Sequence, residues 1–164
     1  MKKNVLITGA SGFIGSSVCI SLQKQFYIYG IDNFKHSVRS NLKDLDPKKS
    51  KIIQKDILNL NVKDLPKKID IIIHLAAISS LPECQNDPVY AYKVNVIGTI
   101  KILELARKFN IKKFIFASTS AVYENNLQKI FLEDLQTEPD LIYSMTKKNC
   151  ETILKSYAKN YSIP

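Results

Sequence analysis

The stretch "VLITGASGFIGSS", from Val5 to Ser17, decides the fold because it joins a predicted strand to a predicted helix through a run of glycines. Gly9, Gly12 and Gly15 have the spacing G-x-x-G-x-x-G. Glycines let the backbone turn tightly and approach a pyrophosphate, and the N–H groups and dipole at a helix start attract its negative charge. The stretch therefore favours a dinucleotide-binding loop over a plain strand-to-helix turn, the alternative that the spacing alone leaves open.

Asp32 stands at the end of the second predicted strand, where a carboxylate can meet an adenosine ribose. A carboxylate there accepts hydrogen bonds from both ribose hydroxyls and repels a 2′-phosphate, so NAD is favoured over NADP. The alternative role for Asp32-Asn33 is an Asx turn. Lys35, His36 and Arg39 lie close by in the sequence and keep NADP open as the cofactor.

Short apolar runs alternate with longer segments of helical period along the chain, which predicts an α/β fold: a Rossmann-type, doubly wound parallel sheet with helices on both faces. The predicted strands are Asn4–Thr8, Tyr27–Ile31, Lys51–Gln54, Ile69–Leu75 and Lys113–Ser118, and the predicted helices are Phe13–Gln25, Pro88–Asn110 and Ile142–Asn160. The strands are apolar nearly throughout, so we expect them to be buried on both faces. The last residues, 161–164, look like the lead into another strand.

Length and composition predict a single domain, residues 1–164, because 164 residues of which 45% are hydrophobic can bury a sufficient core. The net charge of +9 raises the question whether the chain binds nucleic acid. Arg39 and Arg107 are the only arginines, and the lysines are scattered, so a solvated surface is favoured over a nucleic-acid interface.

Cys19, Cys84 and Cys150 are far apart in the sequence and have only two histidines to accompany them. They predict reduced thiols in a cytoplasmic protein and no metal site. No apolar run approaches the length of a membrane span or of a secretory signal core. We therefore expect no membrane partner.

Tyr143 and Lys147, in "YSMTK", are four residues apart at the start of a predicted helix and therefore share one face. A lysine ammonium beside a tyrosine favours the phenolate that acts as a general base. Taken alone, such a pair is usually two surface residues. However, Thr119 and Ser120 follow a predicted parallel strand at its carboxyl end, where open α/β sheets place ligands. A hydroxyl there can hold a substrate alcohol while the tyrosine takes its proton and hydride leaves for a nicotinamide.

With these motifs in order, the chain resembles the extended short-chain dehydrogenase/reductases over essentially its whole length, in particular the NAD-dependent epimerase/dehydratase group that acts on nucleotide sugars. The resemblance rests on "TGASGFIG", "DNF", "HLAA", "STSAVY" and "YSMTK". It implies NAD contacts at Gly9, Ser11, Gly12, Phe13, Ile14, Gly15, Asp32, Asn33, Asp56, Ile57, Leu75, Ala76, Ala77, Asn95 and Lys147. It implies catalytic roles for Thr119, Tyr143 and Lys147, and substrate contacts at Ser80, Ser118, Thr119 and Ser120.

The resemblance also narrows the reaction. Dehydratases of this group carry an Asp-Glu pair directly after the threonine, whereas this chain has Ser120-Ala121, which disfavours elimination. What remains resembles a 4-epimerase of a UDP-hexose-like nucleotide sugar that acts by transient oxidation at the sugar C4. The alternatives are another NAD(P)-dependent sugar-nucleotide reductase or decarboxylase, and a non-catalytic dinucleotide-binding module.

Two departures from the family pattern affect these expectations. Glu124 stands where relatives usually have glycine after "VY". The family's carboxyl-terminal substrate region is also missing, so we expect a fragment or a truncated gene product that is weak or inactive alone. Because family members commonly dimerise through paired helices, the segments 88–110 and 142–160 are candidates for a homodimer interface.

Overall fold

The parallel sheet predicted from the sequence is present in the computed structural model, which describes residues 2–126 and 130–164. Its strands are β1 (Asn4–Thr8), β2 (Tyr27–Asp32), β3 (Ser50–Gln54), β4 (Ile71–His74) and β5 (Lys113–Phe116). They lie in the order β3-β2-β1-β4-β5, and every neighbouring pair is parallel. The chain winds from β1 to one edge and then returns to build the other half, so a crevice opens at the carboxyl ends of β1 and β4.

Five α-helices accompany the sheet within the described residues: α1 (Phe13–Leu22), α2 (Leu81–Asn86), α3 (Pro88–Tyr92), α4 (Gly98–Phe109) and α5 (Ile142–Tyr161). A π-helical turn, Lys93–Ile97, joins α3 to α4. Short 3-10 helices occupy Arg39–Leu42, Ile57–Asn59, Val62–Asp64 and Ser120–Tyr123.

The alternation of side chains along β1 shows how both faces of the sheet are covered. Val5 and Ile7 pack in one buried cluster with Cys19 of α1. Leu6 points to the opposite face and packs in a second cluster with residues of α4, among them Ile102 and Leu103. Successive residues of a strand face opposite sides, so the two layers of helices follow directly from the apolar run in β1. The doubly wound fold is confirmed.

Some element boundaries differ from those predicted. The segment predicted as Pro88–Asn110 is helical, but it is divided by the π turn, and Asn110 is its left-handed cap with φ 48°. Helix α2 was missed, because six residues are too few to show a helical period. Strand β4 is shorter than Ile69–Leu75, and β5 ends at Phe116, which places Ala117 and Ser118 in the loop above the sheet.

The expectation that every strand is buried on both faces is wrong for β5. Its residues alternate between exposed and half-buried, and the Ile115 side chain is 41% exposed. Lys113 and Ile115 lie on one face of the strand and are exposed, whereas Phe114 and Phe116 lie on the other face and are half-buried, so one face of β5 is left uncovered. Residues 162–164 are not in a strand, yet the Phe114 N–H donates to the Pro164 carbonyl over 2.7 Å, so the chain end lies beside this strand.

Cys19, Cys84 and Cys150 are buried free thiols. Within residues 2–126 and 130–164, no group of three or more His, Cys, Asp or Glu side chains could hold a metal ion. None of the helices in that same part of the chain has the length and apolar character needed to cross a membrane.

Candidate functional site

Most of the predicted site residues meet in one cleft of about 420 Å³ at the carboxyl ends of the strands. The predicted residues that line it are Gly9, Gly12, Phe13, Ile14, Gly15, Asp32, Asn33, Asp56, Ile57, Leu75, Ala76, Ala77, Ser118, Tyr143 and Lys147. A larger cavity of about 670 Å³ lies between residues 122–126 and 136–140. It contains no predicted site residue, so the candidate site is assigned to the smaller cleft.

The three glycines of the opening loop differ in how strongly the fold requires glycine at their positions. Gly9 has φ +68°, and a Cβ on Gly15 would lie 1.9 Å from the Gly9 carbonyl oxygen, so both positions require glycine for the fold itself. A Cβ on Gly12 would approach the same oxygen only to 3.3 Å. The fold therefore requires Gly12 least of the three.

The start of α1 is open to an anion. Its N-cap, Gly12, supplies no side-chain cap, and the first turn contains no acidic residue. The next two residues face solvent, with Phe13 90% exposed. The unpaired N–H groups and the positive end of the helix dipole at this point are suited to a pyrophosphate.

Asp32 is held in place at the end of β2 by three hydrogen bonds. Its Oδ2 accepts from the Ser11 N–H over 2.8 Å, and its Oδ1 accepts from the Phe34 N–H over 2.8 Å and from the Ser37 hydroxyl over 3.0 Å. Ser11 is buried and does not line the cleft, because its hydroxyl donates to the Val38 carbonyl. The carboxylate is thus fixed in the cleft, and Ser11 contributes by fixing it.

The three basic residues that left NADP open in the sequence are engaged elsewhere. The Arg39 guanidinium lies 4.8 Å from the centre of the Phe34 ring and donates to Gln54. His36 and Lys35 pair with Glu83 of α2 at 3.3 and 3.9 Å. Only His36 among them lines the cleft.

Asp56 lines the cleft beside Asn33, the residue that follows Asp32. Its Oδ1 accepts from the Leu58 N–H over 2.8 Å, and its Oδ2 accepts from the Asn33 side-chain amide over 3.0 Å. The bond from Asn33 ties the loop after β2 to the loop after β3. The predicted pair Asn33 and Asp56 therefore forms one wall of the cleft.

Lys147 is buried, with its side chain next to β5. Its ammonium donates to the Ala117 carbonyl over 2.6 Å and lies 4.5 Å from the centre of the Phe116 ring. Burial lowers the pKa of Lys147 from its ordinary value of 10.5 to about 8, against the opposing influence of Cys150 and Glu151. Since the ion pairs found within residues 2–126 and 130–164 do not include Lys147, this buried amine is costly to keep charged.

Thr119 and Ser120 do not line the cleft. The Thr119 hydroxyl accepts from the Ala121 N–H over 3.1 Å and so caps the short 3-10 helix that follows, and Ser120 is exposed on that helix. Ser118 does line the cleft, and its hydroxyl donates to Glu151 over 2.5 Å. Ser80 also lies outside the lining and caps α2 by accepting from the Glu83 N–H over 3.3 Å.

The predicted cofactor contact Asn95 is buried behind the cleft. Its Oδ1 accepts from the Ile78 N–H over 2.8 Å, and its amide donates to the Ile78 carbonyl and to Thr146 of α5, both over 3.0 Å. Its side chain thereby ties the loop after β4 to α5. It shapes the cleft through Ile78, which lines it.

A buried histidine that the sequence analysis did not assign a role fixes the floor of the cleft. Thr8 accepts from the Leu75 and Ala76 N–H groups, so its hydroxyl donates to His74 Nδ1 over 2.6 Å. Thr99 donates to the Asn95 carbonyl over 2.6 Å, so its oxygen accepts from His74 Nε2–H over 3.0 Å. Burial lowers the pKa of His74 to about 3, and the ring is a neutral Nε2–H tautomer.

The structure also adds lining residues that sequence reasoning missed: Ile31, His36, Ser37, Lys55, Ile78, Ser79, Tyr90, Val94 and Ala117. Ser79 and Ala117 directly adjoin predicted residues, and a wider window around the motifs would have included them. Tyr90 and Val94 belong to no motif that the sequence analysis could have used to find them. The helical segment that follows α2 brings them to the cleft.

Replacing Lys147 by methionine is expected to raise stability at neutral pH. The folded pKa of about 8 is below the unfolded value of 10.5, so the unfolded chain binds more protons, and stability increases with pH between those values. For the wild type, Lys147 should add about 2 kcal/mol to the free energy of unfolding between pH 7.5 and 9.5. Urea unfolding of wild type and Lys147→Met at both pH values checks this. An equal rise in both proteins would contradict it.

Comparison with known proteins matches the chain to one protein family. The family model described as "NAD dependent epimerase/dehydratase family" matches residues 5–164. The mouse dTDP-D-glucose 4,6-dehydratase is 34% identical over 99% of this chain and 48% of its own length. The chain spans about half the length of the curated relatives it matches.

Two solved structures superpose closely on the chain. The UDP-N-acetylglucosamine 4-epimerase of Methanobrevibacter ruminantium M1, in complex with UDP-N-acetylmuramic acid, has a TM-score of 0.94 at 33% identity over 99% of this chain and 53% of its own. The UDP-glucuronic acid 4-epimerase of Bacillus cereus, in complex with UDP-glucuronic acid and NAD, has a TM-score of 0.90 at 33% identity over 98% of this chain and 54% of its own.

Proposed function

This chain belongs to the NAD-dependent epimerase/dehydratase family, and we propose that residues 1–164 form the NAD-binding domain of a nucleotide-sugar 4-epimerase. The observation that carries the proposal is that the open start of α1, the fixed carboxylate of Asp32 and the Tyr143–Lys147 pair line one cleft. Binding of a dinucleotide needs the open helix start and the carboxylate, and removal of a proton from a sugar hydroxyl needs the Tyr143–Lys147 pair.

The donor and acceptor chemistry of the cleft fits NAD. The N–H groups after Gly12 would hold the pyrophosphate, and the Asp32 carboxylate would accept from the adenosine ribose hydroxyls. The wall of Asn33, Asp56 and Ile57 would face the adenine, and Leu75, Ala76 and Ala77 would lie beside the nicotinamide. Lys147 would donate to the nicotinamide ribose. NAD held there would supply the hydride acceptor for transient oxidation at the sugar C4.

The chain's own residues would handle the proton. Tyr143 would remove the proton of the sugar 4-hydroxyl, and the buried ammonium of Lys147 would favour its phenolate form. The Thr119 hydroxyl is engaged as a helix cap through its oxygen, which leaves its proton available to a substrate oxygen. Ser118 and Ser120 flank it, and Ser80 caps α2 at the rim, so these remain the proposed substrate contacts.

The choice of epimerase over dehydratase rests on the 3-10 helix after Thr119. Elimination needs an acid and a base beside the hexose, and Ser120-Ala121 supplies neither. Relatives of both kinds match the chain, so the proposal depends on these two residues. A reductase or decarboxylase of the same family would share the proton chemistry and differ by net formation of reduced or oxidised cofactor.

A non-catalytic dinucleotide-binding module is the second candidate. It is favoured by one observation, that Thr119 does not line the cleft and already serves as a cap. The presence of Tyr143 beside Lys147 in the cleft argues against it, because a protein that only binds a dinucleotide has no need of a general base.

Titration calorimetry with NAD and NADP, followed by exchange at C4 of UDP-hexoses, tests the proposed function. We expect NAD to bind at least about tenfold more tightly than NADP, because Asp32 repels a 2′-phosphate. We expect C4 exchange without net formation of reduced cofactor, and little turnover from this chain alone. Absence of NAD binding, or tighter binding of NADP, would overturn the proposal.

The proposed cytoplasmic domain is expected to pair with a second copy through the segments 88–110 and 142–160. Val89 and Ile97 expose apolar side chains on the first of these segments, which supports the expectation. Light scattering of the purified chain distinguishes dimer from monomer.

A further inference from the structure

Glu124 links the two segments that carry the proposed catalytic groups. It directly follows the 3-10 helix Ser120–Tyr123, whose N-cap is Thr119. Its Oε1 accepts from the Asp140 N–H over 2.6 Å and from the Leu141 N–H over 2.8 Å, and its Oε2 accepts from the Ser144 hydroxyl over 2.8 Å. All three donors lie at the start of α5.

Helix α5 has no cap of its own. Its N-cap residue is Leu141, which makes no side-chain cap hydrogen bond, and its first turn contains no acidic residue. A helix start without a cap of its own needs acceptors and negative charge from elsewhere. The Gln85 side chain of α2 accepts from the Ile142 N–H over 3.4 Å, and the Glu124 carboxylate supplies an acceptor for the Leu141 N–H together with the negative charge.

The first two turns of α5 carry Tyr143 and Lys147, which line the cleft, whereas Glu124 does not line it. Ser144, which donates to Glu124, is fully buried and adjoins Tyr143. Glu124 therefore contacts the helix that presents these side chains without contacting the cleft. A glycine, the residue expected here from the family pattern, has no side chain to make these bonds.

We propose that Glu124 is a positioning residue that holds the start of α5, and with it Tyr143 and Lys147, against the Thr119 segment. The inference rests on the proposed function, because it concerns the same cleft. The inference goes beyond the proposed function because it makes the geometry of the cleft depend on one carboxylate that lies outside the cleft.

The test compares Glu124→Ala and Glu124→Gln with Glu133→Ala, which removes an exposed carboxylate from the same loop. Hydrogen–deuterium exchange of the Asp140 and Leu141 amides and NAD affinity are measured for each. Glu124→Ala should speed exchange of these amides about tenfold and weaken NAD binding about fivefold to tenfold. Glu124→Gln keeps an acceptor oxygen and should restore both to within about threefold of wild type, and Glu133→Ala should change neither.

Each of these measurements bears on whether Glu124 positions the start of α5. Unchanged exchange at Asp140 and Leu141 in Glu124→Ala would overturn the proposal, as would faster exchange spread evenly over the whole chain. Equal loss in Glu124→Gln and Glu124→Ala would also overturn it, because positioning by hydrogen bonds predicts rescue. If the wild type itself fails to bind NAD, the proposed function fails, and the exchange measurements still decide the role of Glu124.

Discussion

Gly15→Ala is expected to lower the free energy of unfolding by about 3 kcal/mol or more, and to leave little folded protein at 37 °C. The Cβ of an alanine would lie 1.9 Å from the Gly9 carbonyl oxygen and 2.9 Å from its carbonyl carbon. Both are backbone atoms of the turn after β1, so no side chain can rotate to relieve the overlap. The turn or the start of α1 would have to move.

Gly12→Ala is the matched control from the same loop. Its Cβ would lie 3.3 Å from the Gly9 oxygen, and Gly12 has φ −67° and ψ 172°, which alanine adopts readily. We expect the free energy of unfolding to change by less than about 1 kcal/mol and NAD affinity to fall at least about tenfold, because the methyl group would lie where the proposed function places the pyrophosphate. Urea unfolding and calorimetry check both variants. Equal stability losses would show that the loop glycines are all structural.

Tyr143→Phe is expected to slow oxidation of a bound UDP-hexose at least about a hundredfold while leaving NAD affinity within about threefold. Phenylalanine keeps the ring and removes the hydroxyl that would take the sugar proton. A single-turnover measurement of cofactor reduction, with protein in excess over sugar, isolates this step from product release.

Tyr90→Phe provides the control, since Tyr90 lines the same cleft and its ring lies 4.3 Å from the Lys35 ammonium. We expect its rate to match wild type. Equal rates for all three proteins would exclude Tyr143 as the base. Reduced cofactor formed by none of them, together with tight NAD binding, would favour the dinucleotide-binding module.

Local patterns were sufficient for the architecture. The apolar runs in β1 and β4 predicted buried parallel strands, because a strand covered on both faces needs apolar residues throughout. The same patterns failed at β5 and α2. Burial of Ile115 depends on which segments pack over that face of β5, and a six-residue helix shows too little periodicity to recognise.

The sequence by itself determined the fold class, the glycine loop, the family and most residues of the cleft, because these depend on spacing along the chain. Only the tertiary structure decided which side chains reach the cleft. It places Thr119 as a cap, Asn95 behind Ile78 and Lys147 in a buried position where its pKa falls to about 8. It also gave Glu124 three partners, all of them more than fifteen residues away in the chain. Burial and long-range hydrogen bonds depend on how distant segments pack, and no local pattern records that packing.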